Sequence, residues 1–298
     1  MNKKILVAGA TGDLGLRIVK ALLSKQADVI ALVRNDSNSN KINDLRHLGV
    51  KVIKADMNNV DEIASASRDV SCVVSAVSGL RDVIVDAQLN LLKGAIKGGV
   101  KRIIPSDFAT DFLTIPEGVN RNYDLRKEFK KHLDSSTIKA TSIFNGAFAE
   151  VLGYNIPLFD KKGKTIAFFE GKKDWKIDFT TMDDTAMYTA FAALDDETPR
   201  YLRISSFSVS PEELVQLGEK YRREKFDLVN KGTLEDLSAK IKVIKAADPE
   251  ADTSLYSKTQ KVQYLYSMFF AHNETSDNSR YPIEWTSIEN YLKNNQSD

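Results

Sequence analysis

Three glycines spaced three residues apart, in Gly9-Ala10-Thr11-Gly12-Asp13-Leu14-Gly15, follow an apolar N-terminal run and lead directly into an amphipathic stretch. This arrangement suits an anion. The first glycine permits a tight turn, Gly12 lets backbone amides approach a pyrophosphate, and Gly15 allows the following helix to pack closely on the strand. The first amides of that helix, at the positive end of its dipole, then hold the charge. Thr11, Asp13 and Leu14 fill the rest of the loop. Because glycine turns also join ordinary strands to helices, the reading rests on context: a strand over Ile5 to Ala8 before the loop and a helix over Leu14 to Ser24 after it.

Nineteen residues past Gly15, at the end of the second apolar run, a site preferring NAD would place an acid for the ribose 2′-hydroxyl. Here the residue is Arg34. A guanidinium offers a fork of donors to a 2′-phosphate and cannot accept from a hydroxyl, so NADP(H) is the expected dinucleotide, with Lys41 assisting. The alternative is an arginine that ends a strand at the surface. After the third run, Asp56 and Met57 are placed to meet the adenine; after the fourth, Ala76, Val77 and Ser78 are placed to pass beneath the nicotinamide half. Ordinary loops would explain either segment equally well.

The elements that must position these groups follow from apolar patterning. Continuous apolar runs at Ile5 to Ala8, Val29 to Val33, Val50 to Ile53, Cys72 to Ala76 and Arg102 to Ile104 predict buried parallel strands. Between them, Leu14 to Ser24, Lys41 to Leu48, Val60 to Ala66 and Asp86 to Gly98 have helical spacing. Strand and helix in alternation imply an α/β doubly wound sheet of the Rossmann type, whose ligands lie beyond the carboxyl ends of the strands. With 298 residues the chain exceeds one ordinary core. The expected division is a dinucleotide-binding domain over 1–152 and a smaller α+β lobe over 153–298, with some later segments returning to the sheet.

Composition narrows the class. Basic residues number 42 and acidic ones 41, which provides no footprint for nucleic acid or an anionic membrane. A small-molecule partner fits better. The one cysteine, Cys72, lies in an apolar run as a buried thiol, excluding disulfides and cysteine-based metal sites. His47 and His132 read as surface helix residues and, with His272, are too scattered for a metal site. Ser106 has no histidine at a spacing that would suggest a hydrolase triad. The apolar start is too short for a signal peptide and no run spans a bilayer, so the expected location is cytoplasmic.

Taken together, the glycine loop, Leu32-Val33-Arg34, the run Gln88 to Ala95, and Gly99-Val100-Lys101-Arg102-Ile103-Ile104-Pro105-Ser106-Asp107-Phe108 resemble the NmrA-like and isoflavone-reductase-like family of atypical short-chain dehydrogenases. Thr141 to Phe148, Met182 to Ala186 and Tyr281 to Leu292 extend the resemblance over nearly the whole chain. It implies either NADPH-dependent reduction of a small aromatic or conjugated carbonyl compound, or regulation through a protein partner by a protein that senses NADP(H) without turning it over. A sugar-nucleotide epimerase is a third reading, against which the aromatic second half counts. Isoflavone-type reductases carry a lysine on the helix after the Pro-Ser-Asp/Glu-Phe strand end. Counting back from Thr141 without a gap puts Arg126 at that position, and a one-residue shift puts Lys127 there.

The same stretch also has the Tyr-x-x-x-Lys spacing of typical short-chain dehydrogenases at Tyr123 and Lys127, with Ser106 upstream. Four residues apart on a helix, the two share a face, so the lysine could bind the nicotinamide ribose and depress the tyrosine pKa for proton donation. A solvated basic face is the competing explanation. In the second half, Thr165 to Phe169 and Trp175 to Phe179 read as a short hairpin, Thr181 and Ser210 as helix caps. A helix over Leu255 to Ala271 presents Tyr256, Tyr264, Met268 and Phe269, either as core or as a pocket wall. The family resemblance makes Phe108, Asn145, Phe148, Tyr264 and Met268 the substrate-contact candidates, matched to a flat, mostly apolar ligand.

Overall fold

A computed structural model describes residues 2–153, 156–223 and 225–294. The alternation in the first half becomes β1 (Lys4–Ala8), α1 (Asp13–Ser24), β2 (Asp28–Val33), α2 (Ser39–His47), β3 (Lys51–Lys54), α3 (Val60–Ala66), β4 (Cys72–Ser75), α4 (Gln88–Lys97) and β5 (Arg102–Ile104). After α5 (Arg121–Asp134), β6 (Lys139–Ala140) closes the sheet. All neighbours are parallel, in the order β3-β2-β1-β4-β5-β6. The order reverses between β1 and β4, which makes the carboxyl ends of those two strands the crevice of the sheet. Leu6, Ile30, Leu32, Val73 and Ile103 form its core with Ile63, Leu91, Leu92 and Phe129 from the helices. The expected elements stand within one or two residues of their predicted limits, except that a π-helical turn, Asp82–Ala87, precedes α4.

The chain divides differently from a single cut after residue 152. One compact unit comprises Met1–Phe108, Leu125–Ile143 and Thr185–Leu202; the other comprises Ala109–Asp124, Phe144–Asp184 and Arg203–Asp298. Residues 185–202 belong to the first unit, but among the described residues no strand after β6 joins its sheet, and 109–124 leaves earlier than expected. The second unit has its own core, including Phe169, Phe179, Leu265 and Phe269.

The expected hairpin of Thr165 to Phe169 with Trp175 to Phe179 does not form. Thr165–Phe168 is a strand, but it pairs in parallel with Asp227–Asn230 and antiparallel with Phe159–Asp160. Ile177–Thr180 joins another sheet, between Phe207–Val209 and Ala147–Phe148. The connection explains the separation. Two successive turns, Lys172 N to Phe169 O and Trp175 N to Lys172 O, redirect the backbone, and the Trp175 indole donates to the Met268 carbonyl at 3.1 Å. The two caps hold: Thr181 Oγ1 accepts from Asp184 N at 3.0 Å, and Ser210 with Glu213 forms a reciprocal capping box. The helix expected over Leu255 to Ala271 starts later, at Lys258, because Ser257 caps it; Tyr256 lies outside it, 73% exposed.

No helix among the described residues is long and apolar enough to cross a membrane. Cys72 is fully buried in β4, and burial pushes its thiol up to about 12. Since the thiolate is the reacting form, iodoacetamide at neutral pH should leave Cys72 unlabelled in the folded protein and label it once urea unfolds the chain. Labelling without unfolding, read by mass spectrometry, would contradict its place in the sheet core.

Candidate functional site

The first unit builds an anion cradle. Gly9 turns the backbone at φ +84°, and a Cβ there would lie 2.5 Å from the Ala76 carbonyl oxygen; one on Gly15 would lie 2.1 Å from the Gly9 oxygen. Only hydrogen fits at either place. Gly12 stands at the N-cap of α1 without any side-chain cap. By contrast, Asn38, Asn59, Ser210, Thr233 and Ser257 each cap their helices with a side-chain oxygen. The first-turn amides of α1, at Asp13, Leu14 and Gly15, are thus presented to an incoming anion. The Asp13 carboxylate, which would oppose one, pairs with Arg17 Nε at 2.8 Å.

The two cations expected on the adenosine side are Arg34 and Lys41. Arg34 follows β2 with its side chain 69% exposed, 3.4 Å from Asp36. Lys41 reaches the glycine loop itself, donating to the Thr11 carbonyl at 3.0 Å. Met57 is half-buried and its carbonyl accepts from Asn90 Nδ2, while Asp56 is exposed and accepts from Asn58 N. After β4, Ala76 and Val77 are half-buried and Ser78 is exposed.

Ser106 is the junction of the opposite side. Its hydroxyl donates to the Val77 carbonyl at 2.7 Å, its amide donates to Gln88 Oε1 at 2.9 Å, and its carbonyl accepts from Arg126 Nε at 3.2 Å. Of the two register candidates, Arg126 thus bonds just past the end of β5; Lys127 is half-buried one position further on. Next to Ser106, Asp107 is buried and accepts from the Ser142 hydroxyl at 2.6 Å. Burial raises its carboxyl above the usual carboxylate range, against the Ser142 bond and the charges of Arg126 and Arg200. Phe108 is 7% exposed at the close of this segment.

The second unit carries the aromatic candidates. Tyr123, only 4% exposed, packs against Phe112 with ring centroids 6.1 Å apart and edge-on against Tyr264 at 5.7 Å. Tyr264 is half-buried, and its hydroxyl accepts from Asn122 Nδ2 at 2.9 Å. Phe112 meets Phe144 edge-on at 5.2 Å. Phe148 and Met268 are also half-buried, the latter packed against the core of this unit. Asn145 is completely buried, and neither its Oδ1 nor its Nδ2 has a partner. Its backbone is fixed: the amide donates to the Ala109 carbonyl and its own carbonyl accepts from Thr180 Oγ1 at 2.6 Å. Gly146 follows in the left-handed region with the Asp178 carbonyl against it, so the loop cannot swing the amide out to solvent.

The family model described as the NmrA-like family matches residues 1–293. The chain belongs to the NmrA-like family. Among curated relatives, pinoresinol reductase 2 of Arabidopsis thaliana is 30% identical over 244 residues, which cover 75% of this chain and 76% of that protein. An isoflavone reductase structure shares the fold with a TM-score of 0.80, at 20% identity and 99% coverage of both chains. So does AtPrR2, solved with NADP+ and (+)-pinoresinol, with a TM-score of 0.81, 23% identity and 98% coverage of both.

Within this NmrA-like chain, reading the sequence alone missed Gln88 as more than a family mark, although it is 1% exposed and bonded at both ends. The signal was available: Gln88 interrupts the apolar stripe of Ile84, Val85, Leu91 and Leu92 at helical spacing, and a buried amide must find partners.

Two unpaired polar atoms at Asn145 cost on the order of 1–3 kcal/mol each. Asn145→Leu, of similar shape, is expected to raise the melting temperature by about 2–5 °C. A lower melting temperature by calorimetry would show that the amide is paired after all.

Proposed function

We propose that this NmrA-like protein is an NADP(H)-dependent reductase of a small aromatic or conjugated carbonyl compound, acting in the cytoplasm as an atypical short-chain dehydrogenase/reductase. The observation that carries the reading is the uncapped start of α1, where backbone packs too closely on Gly9 and Gly15 for a β-carbon. A pyrophosphate fits it, and Arg34 with Lys41 supplies the positive charge that a 2′-phosphate would need. The 30% identity to pinoresinol reductase 2, and the NADP+ and (+)-pinoresinol held by AtPrR2, support NADP(H)-dependent reduction of an aromatic compound. When bound, the dinucleotide supplies a hydride.

The chain's own groups have the following roles in this reading. Gly9, Thr11, Gly12, Asp13, Leu14 and Gly15 hold the pyrophosphate, Asp56 and Met57 border the adenine, and Ala76, Val77, Ser78 and Ser106 support the nicotinamide half. Lys127 organises the ribose. Tyr123 is packed by Phe112 and Tyr264, which favours a packing role over proton donation and weakens the epimerase reading; water is then the simpler proton source. Phe148, Tyr264 and Met268, half-buried in the second unit, suit a flat apolar substrate.

A second reading, a non-catalytic sensor of NADP(H) that acts through a protein partner, draws on one observation. Arg126, in the gapless register of the family lysine, bonds Ser106, and a guanidinium does not exchange protons at neutral pH.

Calorimetric titration should find NADPH bound far more tightly than NADH, and NADPH should be oxidised by at least one aromatic aldehyde, enone or quinone. Binding without oxidation across such a panel would favour the sensor. Arg34→Glu should weaken NADPH about 10- to 100-fold, the loss of one charge-assisted contact, with little effect on NADH; an unchanged preference would remove Arg34 from the 2′-phosphate. Lys127→Ala should lower kcat and weaken NADPH while leaving the melting temperature nearly intact. Unchanged NADPH affinity would return the ribose to Arg126.

A further inference from the structure

The π-helical turn Asp82–Ala87 leaves a specific gap in its own hydrogen bonding. The amide of Gln88 bonds back to the Val83 carbonyl, five residues earlier, where an α-helix would have used that of Ile84. The Gln88 side chain fills the vacancy: its Nε2 donates to the Ile84 carbonyl at 2.8 Å. The other end of the same carboxamide accepts from the Ser106 amide at 2.9 Å, and Ser106 passes the connection on to the Val77 carbonyl through its hydroxyl. Val77 adjoins Ala76, whose carbonyl oxygen is the atom pressed against Gly9. One buried side chain thus joins the turn before α4 to the carboxyl ends of β5 and β4, and through Ala76 to the end of β1.

We propose that Gln88 is a positioning residue for the nicotinamide half of the dinucleotide, holding the Ala76–Ser78 segment and Ser106 in one fixed arrangement. The inference rests on the NADP(H) reading above. π-Turns recur at functional sites, and this one costs a normal backbone bond that a side chain replaces. Replacing Gln88 by an apolar residue would orphan the Ile84 carbonyl and the Ser106 amide together, and the two segments would no longer be bound to each other. Arg34, Lys41 and Thr11 form no part of this chain of bonds, so the adenosine half should not feel the change.

That asymmetry gives the test. NADPH and 2′,5′-ADP, which carries only the phosphorylated adenosine end, are titrated calorimetrically into the full chain as wild type, Gln88→Met and Ser106→Ala. Gln88→Met is expected to weaken NADPH tenfold or more while 2′,5′-ADP stays within twofold, and Ser106→Ala should show the same asymmetry to a smaller extent. Equal weakening of both ligands would mean a general loss of structure and overturn the proposal, as would two unchanged affinities. If Gln88→Met does not fold, Ser106→Ala decides alone: without the asymmetry, the proposal falls. Failure of the wild type to bind either ligand is a different result, which overturns the NADP(H) reading and the inference with it.

Discussion

Two backbone approaches, the Ala76 carbonyl against Gly9 and the Gly9 carbonyl against Gly15, govern the first unit. Both are too close for any β-carbon. The first brings the end of β4 to the end of β1, where the sheet reverses its order; the second sets the start of α1 directly above the same turn. Between them Gly12 stands at the N-cap with no side chain to cap the helix, and the residues around it serve chiefly to keep that packing in register.

How much of this could be read in advance depended on whether a segment's neighbours were close in sequence. In the first half each strand is followed by a helix that returns it beside the sheet, so apolar runs such as Val29 to Val33 and glycines at fixed spacing specified both element and partner. Thr165–Phe168 had a clear strand pattern too, yet its partner Asp227–Asn230 lies some sixty residues away, and no local pattern encodes such a pairing. The nearest candidate, Trp175 to Phe179, was the natural but mistaken choice because the two turns between them do not look different from a hairpin loop.

The site shows the same division. Glycine, Arg34 and Ser106 were recognisable because each type has one strong physical use at its position. Gln88 was not, because an amide in a helix is ordinary until one knows that both of its ends are buried and used. Counting alone leaves the lysine register open; in three dimensions Arg126 Nε donates to the Ser106 carbonyl, just past the end of β5. Asn145 is a candidate only through the family resemblance, and its unpaired amide is visible only once its surroundings are built.

The chain crosses between its two units five times, and this bears on how it is made. The first unit draws on residues up to 202 and the second on residues from 109 onward. A ribosome releasing the chain from its N-terminus exposes β1 to β5 early, but the last piece of that unit emerges only after much of the other has been synthesised. The two folding reactions are thus interleaved in time, and long-range contacts of this sort slow folding and prolong the exposure of unpaired strand edges. A fragment ending at residue 152 would be caught at that stage, with all six strands of the sheet but without residues 185–202 of the same unit.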